Sequence, residues 1–265
     1  MPDLPRAWRL VWTPPAAGAW NMALDEALLE AHRQGLSPPT LRLYGWAKPT
    51  ISLGYAQRLT PAELGAWRAA GAAVVRRPTG GRAVVHAGDL TYSIVTTGLP
   101  PGVMASYRVL SEALAAGLAR LGVAPCLAPG SAPPGRSVAC FASTTPADLG
   151  VGGLKLVGSA QVRRHGAVLQ HGCLYLRRTP WLSLLPHQEG VGTLEDALGR
   201  LPAAEEVGEA LATGFAEALG LALKPGEISA WEATQAGANE ARWQLPPACV
   251  DRPEGPARAM PGAGL

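Results

Sequence analysis

Between Ser137 and Leu176, short apolar stretches alternate with glycines at Gly152-Gly153, Gly158, Gly166 and Gly172. Tight hairpins need residues that tolerate positive φ, and glycine does so at no steric cost. The spacing therefore predicts an antiparallel meander. Such a sheet has to bury a face against other elements, and candidates lie on both sides of it in the chain.

Upstream, Trp8 to Trp12 reads as a first strand, and Asn21 to Gln34 as a helix with Met22, Leu24, Ala27, Leu28 and Ala31 on its apolar face. Leu41 to Trp46 and Thr50 to Tyr55 read as strands joined across Lys48-Pro49. Thr60 caps a helix over Pro61 to Ala70, with proline at its first position and Gly71 closing it. Ala73 to Arg77, Ala83 to His86 and Leu90 to Thr97 read as strands, with a glycine turn over Pro78 to Arg82. Val103 to Leu121 is helical in period, and Pro129 to Arg136 is a loop. Downstream, Thr193 to Leu198 and Ala203 to Leu219 read as helices.

Strands and helices fall into runs, which points to an α+β fold with mixed or antiparallel sheets and flanking helices. Residues 1–230 are expected to form a single domain. Residues 231–265 are expected to be an irregular tail, loosest from Pro253 to Leu265.

Hydrophobic residues make up 48% of the 265-residue chain, a globular composition, and the formal charge is only +3. With no Lys/Arg block, nucleic acid is not an expected partner. No apolar run is long enough for a bilayer and no basic-then-apolar leader is visible, so no membrane partner and a cytoplasmic setting are expected. Cys126, Cys140, Cys173 and Cys249 have no C-x-x-C spacing. Neither a structural zinc site nor a disulfide framework is expected, and the thiols should be reduced. Lys48, Lys155 and Lys224 are the only lysines in a chain that otherwise uses arginine.

Three segments carry residues suited to chemistry. Arg76-Arg77-Pro78-Thr79-Gly80-Gly81-Arg82-Ala83, leading to His86, places paired glycines after a strand. There the backbone can approach a ligand closely, and the arginines can meet an anion or a carbonyl oxygen; on local pattern alone it is equally a hairpin turn. Gly153 to Gln161 holds Lys155 among small residues, either as a solvated strand lysine or as a tunable point charge. Cys140-Phe141 reads as strand, just before that hairpin. Its thiol is either an inert core group or a nucleophile, and Cys173 beside His171 is its rival.

Taken in order, these segments resemble the lipoate–protein ligase A superfamily, which includes cysteine-dependent octanoyltransferases. Asn21 to Ala27 resembles the family's first helix, and Leu41 to Trp46 with Ser52 to Gln57 its early strands. Arg76 to His86 resembles its glycine loop, followed by Asp89 to Ser93, Lys155, Gly158 to Gln161 and Leu169 to Gly172. The resemblance implies a catalytic domain of the lipoate–protein ligase/biotin–protein ligase type. It implies Cys140 and Lys155 as catalytic residues. It implies a substrate site drawn from Tyr44, Arg76, Arg77, Thr79, Gly80, Gly81, Arg82, Ala83, His86, Gly158, Ser159, Ala160, Gln161, His171 and Gly172. No metal and no cofactor is implied.

The transferase branch that carries Cys-Phe upstream of the lysine takes an octanoyl group from octanoyl-acyl carrier protein. It delivers the group to a lipoyl-domain protein, typically the glycine cleavage H protein. The resemblance implies the same partners here, for a monomer in lipoate biosynthesis. Its alternatives are an ATP-dependent lipoate or octanoate ligase, an amidotransferase between lipoyl proteins and a non-catalytic acyl-binding protein. In the transferase reading, backbone N–H groups of Gly80 to Ala83, or of the Lys155 strand, are expected to hold the developing oxyanion.

Overall fold

The computed structural model describes residues 3–127, 138–142, 145 and 148–245. The loop expected over residues 129–136, Cys249 and the tail from Pro253 lie outside them.

Chain order begins β1 (Ala7–Ala16), α1 (Gly18–Arg33), β2 (Thr40–Trp46), β3 (Thr50–Leu53), α2 (Pro61–Ala69) and β4 (Ala73–Arg76). It continues with β5 (Val84–His86), β6 (Asp89–Thr96), α3 (Val103–Arg120) and β7 (Cys126–Leu127). A 3-10 turn (Cys140–Ala142) precedes β8 (Leu149–Val151), β9 (Leu154–Arg164) and β10 (Ala167–Tyr175). A second 3-10 turn (Pro180–Leu184), α4 (Leu194–Leu198), α5 (Ala204–Leu219), β11 (Ala222–Pro225) and α6 (Ala230–Trp243) complete it. Among the described residues no helix is long and apolar enough to cross a membrane.

Eight strands form one sheet in the order β11-β1-β2-β6-β10-β9-β8-β7, and β4-β3-β5 form a second. β1 is parallel to both its neighbours and β3 is parallel to β4; the other pairs are antiparallel. This is the α+β arrangement expected. The meander, however, comprises only β8 to β10. Cys140 and Phe141, expected on a strand, sit on the 3-10 turn instead. β2 and β3, contiguous in sequence across Lys48-Pro49, belong to different sheets.

The pleat sorts the large sheet. Leu41 and Leu43 of β2, Leu90, Tyr92 and Ile94 of β6, and Val168 and Leu174 of β10 face α3 and α5 in one core. Those helices approach closely because they cross at glycines. A Cβ on Gly214 would lie 2.1 Å from the Gly117 backbone nitrogen. The alternate residues face the other way, as a period of two requires. There Tyr44, Val95 and Leu169 pack under α1 and α6, while Cys173 and Tyr175 pack against the small sheet. The candidate side chains Tyr44 of β2 and His171 of β10 are on that second face, while Gly172 alternates onto the first, towards Tyr92.

The expectation of irregular chain from residue 231 is corrected over Ala230–Trp243. These residues form a helix with a capping box between Ser229 and Glu232. Its Trp243 is fully buried and donates to Glu26 of α1 at 3.1 Å. The helix was hidden because its apolar positions are few; much of what fixes it is polar, with Glu232 pairing with Arg9 at the start of the chain.

Candidate active site

A narrow slot of about 30 Å³ opens between the two sheets. Met22 of α1 and the small residues Gly158, Ala160 and Gly172 line it, with Val84 adding an apolar wall. Cys140 and Cys173 both reach it, as do Tyr44, Trp46, Ser52, Arg77, His86, Thr91, Ser159 and His171.

The Cys140 turn is clamped from two directions. Its N–H donates to the Ala83 carbonyl at 2.8 Å, and the Ala83 N–H donates to the Val138 carbonyl at 2.9 Å. The strand leaving the glycine loop thus fixes where the thiol sits. Behind it, the Phe141 ring packs on Tyr175, with centroids 5.1 Å apart. Gly158 makes room for that ring: a Cβ there would come within 2.6 Å of it. Any side chain at residue 158 therefore pushes the turn.

Lys155 is buried beside this turn. Its Nζ donates to Asp148 Oδ2 at 2.9 Å and to the Cys140 carbonyl at 3.4 Å, and lies 5.2 Å from the Phe141 ring centroid. Burial alone would favour the neutral amine. The charges of Cys140 and Asp148 outweigh burial and hold Lys155 above its ordinary value, so it is an ammonium at neutral pH. Cys173 is 1% exposed, and burial pushes its thiol well up. Cys140 is half-buried.

Arg77 is buried and its guanidinium organises the glycine loop. It donates to the carbonyls of Ser52, Gly80 and Arg82, and to Thr79 Oγ1. Gly81 sits at φ +90°, and Gly54 lets the loop lie against β3: a Cβ on Gly54 would be 1.9 Å from the Gly81 carbonyl oxygen. Arg76 turns away from the slot and donates to the carbonyls of Gly54, Tyr55 and Gln57. Two of the candidate oxyanion donors are spent on the protein itself. Ala83 N–H goes to Val138 and Lys155 N–H to Gly190. That expectation is corrected for both.

Two histidines stand in the slot, each between a carboxylate and a hydroxyl. His171 Nδ1 meets Asp25 Oδ2 at 2.8 Å and its Nε2 meets Thr79 Oγ1 at 2.7 Å. His86 Nδ1 meets Asp89 Oδ2 at 2.9 Å and its Nε2 meets Ser52 Oγ at 2.9 Å. Asp25 is the hub of the first set. It also takes Arg42 Nη1 at 2.7 Å and the Tyr44 hydroxyl at 2.9 Å. Burial raises the Asp25 carboxyl, but these partners outweigh it and hold the group below its ordinary value. For His171 burial wins, and its pKa is lowered.

Ser159 shares a hydrogen bond with Tyr92 at 2.7 Å; Gln161 reaches Gln170 and Ser106 instead of the slot. Among the described residues, His86, Asp89 and Cys173 bring ligand-type atoms within 4.8 Å of one another. Cysteine spacing could not reveal that group, since the three donors come from separate strands or turns.

The sequence reading missed Asp25, Ser52, Asp89 and Asp148. Asp25 carried a signal, a carboxylate within the apolar run of α1. Asp148 carried none, because its partner is made only when β9 folds back.

The family model for the lipoyl protein ligase A/B catalytic domain matches residues 17–216, a span that includes all of this machinery. The chain belongs to that family. An "Octanoyltransferase LipM" of Kyrpidia tusciae is 44% identical over 255 residues, covering 86% of this chain and 92% of the relative. A lipoate–protein ligase A bound with ATP superposes with TM-score 0.74 at 27% identity, covering 89% of this chain and 94% of the other. A bipartite lipoate protein ligase of Thermoplasma acidophilum, described with its E2 lipoyl domain, gives 0.72 at 25% identity, covering 90% and 93%. Within the lipoyl protein ligase A/B family, then, this chain keeps the fold of the ligases and resembles an octanoyltransferase more closely in sequence.

Proposed function

We propose that this chain is an acyltransferase of lipoate biosynthesis that carries an octanoyl group on Cys140. The donor is octanoyl-acyl carrier protein, and the acceptor is a lysine of a lipoyl-domain protein such as the glycine cleavage H protein. One observation carries the reading: Cys140 presents a half-buried thiol at an apolar slot, and a buried ammonium, Lys155, donates to the same residue's carbonyl, near enough for the two charges to interact. A nearby ammonium favours thiolate, the nucleophilic form. The octanoyltransferase relative supports the same acyl group.

The Cys140 thiolate attacks the thioester carbonyl. The new C–S bond forms as the donor's C–S bond breaks, and the departing sulfur takes the proton that Cys140 lost. The acceptor amine then attacks the acyl-enzyme. A C–N bond replaces the C–S bond, and the amine's proton returns to Cys140. Because the thioester is already activated, ATP has no step to perform. Burying the octanoyl tail between Met22, Val84 and the glycines contributes roughly 5 kcal/mol at about 0.8 kcal/mol per CH₂.

Intact mass spectrometry after mixing with octanoyl-acyl carrier protein, without ATP, tests this. One added octanoyl group, lost on later addition of the acceptor protein, is expected. If acylation instead requires free octanoate and ATP, the likeness to the ATP-bound ligase extends to mechanism and the transferase reading falls.

A further inference from the structure

Beside the slot lies a second, wider groove of about 480 Å³. Slot and groove share Trp46 and His86, whose rings stack at 3.8 Å, so this stack is the partition between them. The groove's rim carries Lys48, Arg177 and Arg178, all exposed. Its one acidic residue, Asp89, has its side chain buried against His86. The three cations come from two connections brought together by the fold. Lys48 lies where the chain passes from the large sheet to the small one. Arg177 and Arg178 follow β10, in a turn fixed by the Gly88 carbonyl, which accepts the N–H groups of Leu176 and Arg177. Arg178 gives one N–H to Val191, which steadies its guanidinium at the edge.

An octanoyl chain in the slot with its carbonyl at Cys140 leaves the rest of the donor outside the slot. A groove with three exposed cations across a shared wall attracts an anion and disfavours an incoming lysine ammonium. We propose that this groove receives the phosphate-bearing arm of the thioester donor, with the phosphate against Lys48 and Arg177 and the arm's uncharged part along Trp46 and Trp181. The proposal rests on the transferase reading for its biological meaning, but the groove's preference for phosphate does not depend on Cys140.

Calorimetric binding of 4′-phosphopantetheine and of pantetheine to wild type and to the Lys48→Ala/Arg177→Ala double variant tests it. Wild type should bind the phosphorylated arm more tightly, and the variant should lose roughly 10-fold of that affinity while its weaker pantetheine binding is unchanged. Equal binding of the two arms by wild type, or an unaltered phosphopantetheine affinity in the variant, overturns the proposal. Should only the intact carrier protein lose affinity, the cations meet its acidic surface and not its arm, and the proposal is again overturned. A parallel reaction with octanoyl-acyl carrier protein, without ATP, separates the two claims. If it fails to acylate wild type, the transferase reading falls, while the binding result still judges the groove.

Discussion

Lys155 is shared: its ammonium lies 2.9 Å from Asp148 Oδ2 and 3.4 Å from the carbonyl oxygen of Cys140, with both charged side chains almost wholly buried. The positive charge beside the thiol is therefore partly neutralised by a carboxylate. Asp148→Asn should remove that opposing charge and speed alkylation of Cys140 at neutral pH, whereas Lys155→Ala should slow both alkylation and acylation. Lys155→Arg should rescue poorly, because a planar guanidinium does not fit a site built for a compact ammonium. Alkylation rate at neutral pH, followed by mass on the Cys140 peptide, is the readout. An unchanged rate in both Asp148→Asn and Lys155→Ala would show that Lys155 only fills space.

Gly158 controls the position of the thiol through Phe141. Its missing side chain is the space the Phe141 ring occupies, and a Cβ would lie 2.6 Å from that ring. Gly158→Ala should shift the Cys140 turn and reduce the acylation rate by roughly 100-fold, the scale of a displacement of about 1 Å. Stability should fall as well, by about 1–3 kcal/mol, the cost of overpacking a buried site, with the protein still folded. Wild-type acylation rates in this variant would mean that the turn is free to move.

Protonation of His171 opposes folding. Burial lowers its pKa below the ordinary value of 6.5, so in that range the unfolded chain binds more protons than the folded one. Stability then rises with pH, and is lost as pH falls below about 6.5 towards the folded-state value, with a slope of at most about 1.4 kcal/mol per unit. Denaturant midpoints at pH 7 and 5.5 measure this, with His171→Gln as the control that lacks the slope. The same pH dependence in both proteins would assign it elsewhere.

Arg77 holds the glycine loop by donating to the carbonyls of Ser52, Gly80 and Arg82. Arg77→Met removes the guanidinium from the buried Ser52 carbonyl, at about 1–3 kcal/mol, and from the part-buried carbonyls of Gly80 and Arg82, at less. Thermal unfolding should show a clear loss. Arg77→Lys should recover only part of it, because one ammonium cannot span all three. Full recovery by lysine would show that charge, and not the fork geometry, is what the loop needs.

Local patterns carried the frame of the molecule. The proline-started, threonine-capped α2, the period of α3 and the glycine-punctuated hairpins of β8 to β10 are all written within a few residues of themselves. What stayed hidden was made by distant partners. The Cys140 turn borrows its shape from Ala83, fifty-odd positions earlier, and α6 is secured by Arg9 and Glu26. The candidate site divides the same way. The glycine loop, Lys155 and His171 stand out by composition, but Asp25 acquires meaning only when α1 packs on β10 and meets His171, and Asp148 only when the β8–β9 hairpin folds Lys155 back onto it. Arg76 and Arg77 illustrate the converse. They looked alike as anion binders, yet both are turned to backbone carbonyls, and Arg77 alone also lines the slot.

The account stands or falls on which cysteine carries the acyl group. Cys140 and Cys173 both line the slot, but burial pushes the Cys173 thiol well up, and Cys140 is the more exposed, beside Lys155. Peptide mapping of the octanoylated protein under conditions that preserve thioesters decides between them. The account predicts one octanoyl group on the peptide containing Cys140, none in folded Cys140→Ala and retained acylation in Cys173→Ala. An octanoyl group on the Cys173 peptide, or acyl transfer by Cys140→Ala, would contradict it.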